Sequence, residues 1–89
     1  MSATAYHFWS PTCGPCLKIK PAIHDLQEDF PNVQWVSVNT HADSHGYSEK
    51  FGVRVVPTIV VVAGGKQWSA SGTNMAEYHR ILRTASKPF

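Results

Sequence analysis

The stretch FWSPTCGPCLKIKP, residues 8–21, holds the only two cysteines of the chain, Cys13 and Cys16, with Gly14 and Pro15 between them. Two cysteines this close are a disulfide, half of a metal site or a coincidence. The flanking sequence says where they sit. Upstream, TAYHFW (4–9) mixes β-branched and aromatic residues and reads as a short strand. Downstream, Cys16, Ile19, Ile23, Leu26 and Phe30 form one apolar stripe at helical period. The cysteines therefore lie where a strand passes into a helix. A helix N-terminus offers unpaired N–H groups and the positive end of the dipole, and both favour a thiolate. Cys13, at the helix start, is expected to have a lowered pKa and enough exposure to attack. Cys16 lies one turn further on, on the buried stripe and on the same side. The first cysteine can open a foreign disulfide and the second can resolve the mixed disulfide from within. Pro15 removes an N–H that would be unpaired there anyway and stiffens the turn. Pro21 predicts a kink in the helix, and Pro31 stops it.

The rest of the chain continues the alternation. VQWVSVN (33–39) is a second strand, and 43–51 a weaker helix with Gly52 as its C-terminal cap. TIVVVA (58–63) is a continuous apolar run, as in a strand buried on both faces. Gly64-Gly65 turns the chain into KQWSAS (66–71), and Gly72 and Asn74 lead into a last helix over 75–85. The order β-α-β-α-β-β-α predicts an α/β domain spanning residues 1–89. Its four-stranded mixed sheet should begin with a parallel crossover and end in an antiparallel pair.

Size and composition agree. A chain of 89 residues, 43% hydrophobic and 16% charged, suits one compact domain rather than a disordered segment. A net charge of +2 from scattered basic residues implies no nucleic-acid partner. No apolar run approaches the roughly 20 residues of a membrane helix, and the start lacks signal-peptide character. A cytoplasmic location follows as the expectation. In that compartment a CxxC pair reads as redox-active or metal-binding rather than structural. A metal site would need about two further ligands. The histidines are His7, His24, His41, His45 and His79, and there is no second CxxC. His41 and His45 could share a face only if the second helix included both.

These residues carry a resemblance. HFWSPTCGPC is similar to the strand-plus-active-site stretch of the thioredoxin family, with Trp9 and CGPC in place. Pro21 matches the proline within the family's active-site helix. FGVRVVPT (51–58) resembles the segment before the family's cis-proline, which would be Pro57. Gly72 matches a glycine near the substrate groove. The resemblance runs from Tyr6 to about Ala85. It implies a shortened thioredoxin fold, lacking one N-terminal strand and helix. It also implies a protein-disulfide reductase with Cys13 and Cys16 as catalytic pair. Trp9, Gly14, Pro15, Val56, Pro57 and Gly72 would meet the substrate, with no bound cofactor. The implied partners are protein disulfides and a thioredoxin reductase or glutathione as electron donor.

The departures matter as much. Thr12 stands where the family usually has Trp, and Leu17 where it has a basic residue. His7 takes the place of a buried Asp, and Ser37 that of a nearby Lys. His7 is then either a core histidine or the proton acceptor for Cys16. The short length leaves a glutaredoxin-like, glutathione-dependent reductase as the alternative enzyme, and a non-catalytic docking subunit as the alternative of another class. Without a covering strand, 33–39 should form a sheet edge, with Trp35 or Val36 less covered. The chain should be a monomer or associate weakly with itself there.

Overall fold

The computed structural model describes residues 3–86. Seven elements follow one another: β1 (Thr4–Trp9), α1 (Gly14–Asp29), β2 (Gln34–Asn39), α2 (Tyr47–Lys50), β3 (Thr58–Ala63), β4 (Lys66–Ser71) and α3 (Met75–Ala85). They form one mixed sheet in the order β2-β1-β3-β4. β1 and β2 are parallel, and β3 runs antiparallel to both β1 and β4. Gly64 and Gly65 both adopt positive φ, as the tight β3–β4 hairpin requires.

Alternation along the strands sends side chains to two apolar clusters. On one face, Ala5, Ile59 and Val61 pack against Ile19, Ile23 and Leu26 of α1 and Tyr78, Ile81 and Leu82 of α3. On the other, Phe8, Val38 and Val60 are covered by Tyr47, Phe51, Val53 and Val56. β3 serves both clusters, which is why its sequence is apolar almost without interruption.

α1 continues through Pro21, which has no N–H to offer the carbonyl four residues back. One expectation is corrected. The second helix is four residues long instead of nine. Its first half is replaced by a loop in which the Asp43 carboxylate accepts from the Tyr47 and Ser48 N–H groups. An Asp side chain competes with helical backbone pairing in this way and so caps rather than extends. Those hydrogen bonds hold the Asp43 carboxyl below its usual pKa. His41 and His45 consequently lie before the helix and share no helical face. His45 stacks on Tyr47 instead. Asp43→Ala should expose the Tyr47 and Ser48 amides to exchange while leaving the sheet protected.

Candidate active site

The end of β1, the start of β3 and the end of β4 lie side by side at one end of the sheet, with Phe8 opposite Thr58 and Thr58 opposite Ser71. The segments just beyond that row are Trp9–Cys13, Val56–Pro57 and Gly72. The register alone therefore brings most of the residues singled out in the sequence to one end of the molecule. Pro15 at the start of α1 and Thr73 after Gly72 line a common shallow hollow there.

Cys13 is the N-cap of α1 in extended conformation, and its Sγ accepts the Cys16 N–H at 3.1 Å. It is bonded to Cys16 in a disulfide with a Cα–Cα separation of 5.2 Å. The two sulfurs differ in surroundings. Cys13 is half-buried, whereas Cys16 is buried on the α1 stripe. The first turn of the helix carries no acidic residue. A thiolate at Cys13 thus has a donor N–H and the dipole in its favour, and no carboxylate of that turn against it. Gly14 and Pro15 are exposed, and a Cβ on Gly14 would stand in open space. Packing within the fold does not demand glycine there.

The Val56–Pro57 peptide is cis. Pro57 is fully buried, and its carbonyl accepts the Gly72 N–H at 2.9 Å. Gly72 has φ +94°, a conformation that favours glycine. One residue was not foreseen here. The hydroxyl of Tyr78, on α3, reaches the carbonyl oxygens of both Pro57 and Gly72. Burial pushes its pKa up to about 12, so it remains a neutral donor. In the sequence Tyr78 is one residue of the expected helix over 75–85. Nothing local shows where its hydroxyl points. Tyr78→Phe should cost about 1–3 kcal/mol, because the Gly72 carbonyl loses its donor and the Pro57 carbonyl keeps only the Gly72 N–H. Chemical denaturation would measure that loss, with faster exchange of the Gly72 amide beside it.

Behind the disulfide lies a cavity of about 330 Å³ whose lining includes His7, Trp9, Ser10, Cys16 and Ser37. His7 and Ser37 are direct cross-strand neighbours. Ser37 Oγ accepts from the Trp9 indole N–H at 2.7 Å, a role the sequence did not suggest. The His7 Nε2 is buried and has no hydrogen-bond partner. Burial lowers the His7 pKa to about 4, so the imidazole is neutral at pH 7. Unfolding returns the group to about 6.5. Between those values the unfolded chain binds more protons than the folded one, so stability falls as pH drops from about 6.5 to about 4. The difference, about 2.5 units, corresponds to at most about 3 kcal/mol. Urea denaturation across that window should show this loss in the wild type and not in His7→Ala.

Among the described residues no helix is long and apolar enough to cross a membrane. The sequence profile described as Thioredoxin matches residues 3–86. The M-type thioredoxin of Zea mays chloroplasts is 38% identical over 61 residues, 67% of this chain and 36% of that protein. A Synechocystis thioredoxin is 31% identical over 61 residues, covering 67% of this chain and 56% of its own length. The matched segment thus spans between about a third and somewhat over half of these relatives. Among solved structures, Fasciola hepatica thioredoxin superposes with a TM-score of 0.84 at 24% identity, over 96% of this chain and 82% of that one. The short form of spinach chloroplast thioredoxin f gives 0.86 at 18%, over 97% and 78%. These two likenesses concern the fold.

Proposed function

Because this chain belongs to the thioredoxin family, we propose that it is a thiol–disulfide oxidoreductase that reduces protein disulfides through Cys13 and Cys16. The observation that carries this is the unlike placement of two bonded sulfurs, one at a helix N-terminus with partial exposure and one buried behind it. In the reduced protein the Cys13 thiolate attacks one sulfur of a substrate disulfide. That S–S bond breaks, a mixed disulfide forms, and the departing substrate sulfur takes a proton. Cys16 then gives up its proton, and its sulfur attacks Cys13 Sγ. The second substrate thiol leaves, and the two electrons have passed from the Cys13–Cys16 dithiol to the substrate. His7 is the proton acceptor for that second step, a role supported by its neutral, unpartnered imidazole in the cavity that Cys16 also lines.

Trp9, Gly14, Pro15, Val56, Pro57 and Gly72 form the face on which the substrate segment docks. Leu17 and Val55, the exposed large apolar side chains among the described residues, add to the apolar surface available to it. A thioredoxin reductase returns the disulfide to the dithiol, in a reducing compartment such as the cytoplasm.

Reduction of insulin with dithiothreitol as electron source tests the activity. Turnover well above the dithiothreitol blank supports it. No acceleration would leave the fold as a docking module. Recycling by glutathione in place of thioredoxin reductase would make the chain glutaredoxin-like.

A further inference from the structure

The last pair of the β3–β4 ladder is Thr58 opposite Ser71. Beyond it the chain extends as Val55–Pro57 on one side and Gly72–Thr73 on the other. These segments carry part of the docking face, at the end of a ladder, where hydrogen-bonded structure tends to fray. Two bonds within the hairpin hold them. The Gly72 N–H donates to the Pro57 carbonyl at 2.9 Å, and the Thr58 hydroxyl to the Val55 carbonyl at 2.7 Å. Among the described residues, the hydrogen bond that reaches them from outside the hairpin comes from Tyr78 of α3, whose hydroxyl lies against the Pro57 and Gly72 carbonyls. The Tyr78 ring is fully buried in the cluster that includes Ile59, Ile81 and Leu82, so its hydroxyl is presented from a fixed point. The Asn74 side chain accepts the Ala76 N–H and caps the same helix, which anchors the far end of the segment as well.

We propose that Tyr78 is a positioning residue, which holds the Gly72–Thr73 backbone in its docking orientation before a protein disulfide arrives. This rests on the reading of the site as a protein-disulfide reductase. Gly72 sits at φ +94°, and glycine moves easily among conformations closed to other residues. Without an anchor its peptide could rotate. With the Gly72 carbonyl turned in to the Tyr78 hydroxyl, the planar trans peptide sends the Thr73 N–H the opposite way, away from the core. Among the described residues that N–H has no backbone partner. Thr73 is exposed and shares a hollow with Pro15.

Docking a chain segment on a rim that is already held costs less ordering entropy than docking on one that must first be ordered. The chemistry at Cys13 does not share this dependence. Cys13 is fixed by its own turn, through its N–H on the Ser10 carbonyl and its Sγ on the Cys16 N–H. A small disulfide that touches little beyond the sulfur gains nothing from Tyr78, whereas a protein disulfide with flanking chain does. Tyr78 thereby sets part of the preference of the site for protein disulfides over small ones.

Single-turnover oxidation of the reduced protein, by insulin and separately by dithiobis(nitrobenzoate), tests this in wild type and Tyr78→Phe. With insulin, the concentration giving half the maximal rate should rise about tenfold in the variant, while the maximal rate stays within about twofold. With dithiobis(nitrobenzoate), the second-order rate constant should also stay within about twofold. Loss of the same factor with both disulfides would make Tyr78 merely structural. That result, or an unchanged concentration dependence with insulin, would overturn the proposal and leave the reductase reading intact. A wild type that reduces neither disulfide would overturn that reading and the proposal with it. If Tyr78→Phe does not fold, the Gly72 amide decides. Protection from exchange that is complete in the free protein and unchanged in the mixed disulfide of Cys16→Ser with insulin supports the proposal. Protection that arises only on docking would overturn it.

Discussion

Cys13→Ser should reduce insulin no faster than dithiothreitol alone, a loss of more than about a thousandfold, whereas Cys16→Ser should stop after one half-reaction with substrate attached. The two outcomes differ because the two sulfurs occupy different places. Cys13 caps α1, receives the Cys16 N–H and is partly exposed, so it is the sulfur that can ionise and be reached. Serine keeps the cap hydrogen bond, so the fold should survive while the nucleophile is lost. Cys16 is 5% exposed and meets only what Cys13 already carries. Removing it leaves attack intact and abolishes release. Non-reducing electrophoresis and intact mass would reveal the trapped species. Normal turnover by Cys16→Ser would mean that an external thiol resolves the intermediate, and glutathione would then be the reductant.

The second large effect concerns His7. Release of the mixed disulfide should slow roughly a hundredfold at pH 7 in His7→Ala, within the usual range for removal of a general base. In the wild type the imidazole is neutral above about pH 4 and can take the Cys16 proton as that sulfur bonds to Cys13. The rate of this step should therefore be nearly flat from about pH 5 to 8. In His7→Ala the step must wait for unassisted ionisation of a buried thiol, whose pKa is raised by burial. Its rate should climb about tenfold per pH unit and approach the wild-type rate in alkali. Stopped-flow measurement of the single step across pH separates the two profiles. Superimposable profiles would make His7 a packed core residue. The same variant should relieve the acid destabilisation below pH 6.5, so folding and catalysis change in opposite directions.

Much of this architecture was legible in the chain because it is written in local patterns. The α1 stripe, the apolar run of β3, the Gly64-Gly65 turn and the lead from Gly72 and Asn74 into α3 each depend on neighbours within a few residues. The seven elements follow from them in the expected order, and the strand bounds agree to within a residue. The Cys13–Cys16 pair was equally local, since the helix start that serves Cys13 is one turn of backbone. The second helix is shorter than its sequence suggests because Asp43 and Gly46 favour a capped loop over a helical first turn. That competition is decided by side-chain geometry rather than apolar spacing.

What only the tertiary structure decided is what distant residues do to one another. The sequence placed His7 in a strand but left open whether it was core or catalytic. Burial beside a cavity shared with Cys16 and Ser37 makes its imidazole neutral and leaves Nε2 without a partner. Trp9 and Ser37 lie 28 positions apart and meet only because β1 and β2 are parallel neighbours in register. Tyr78 lies 21 positions from Pro57, and its hydroxyl secures that loop only because α3 packs back across the sheet. Periodicity determines which face of an element is apolar. The direction of a polar atom within that face, and the group it meets, depend on how the faces come together in space.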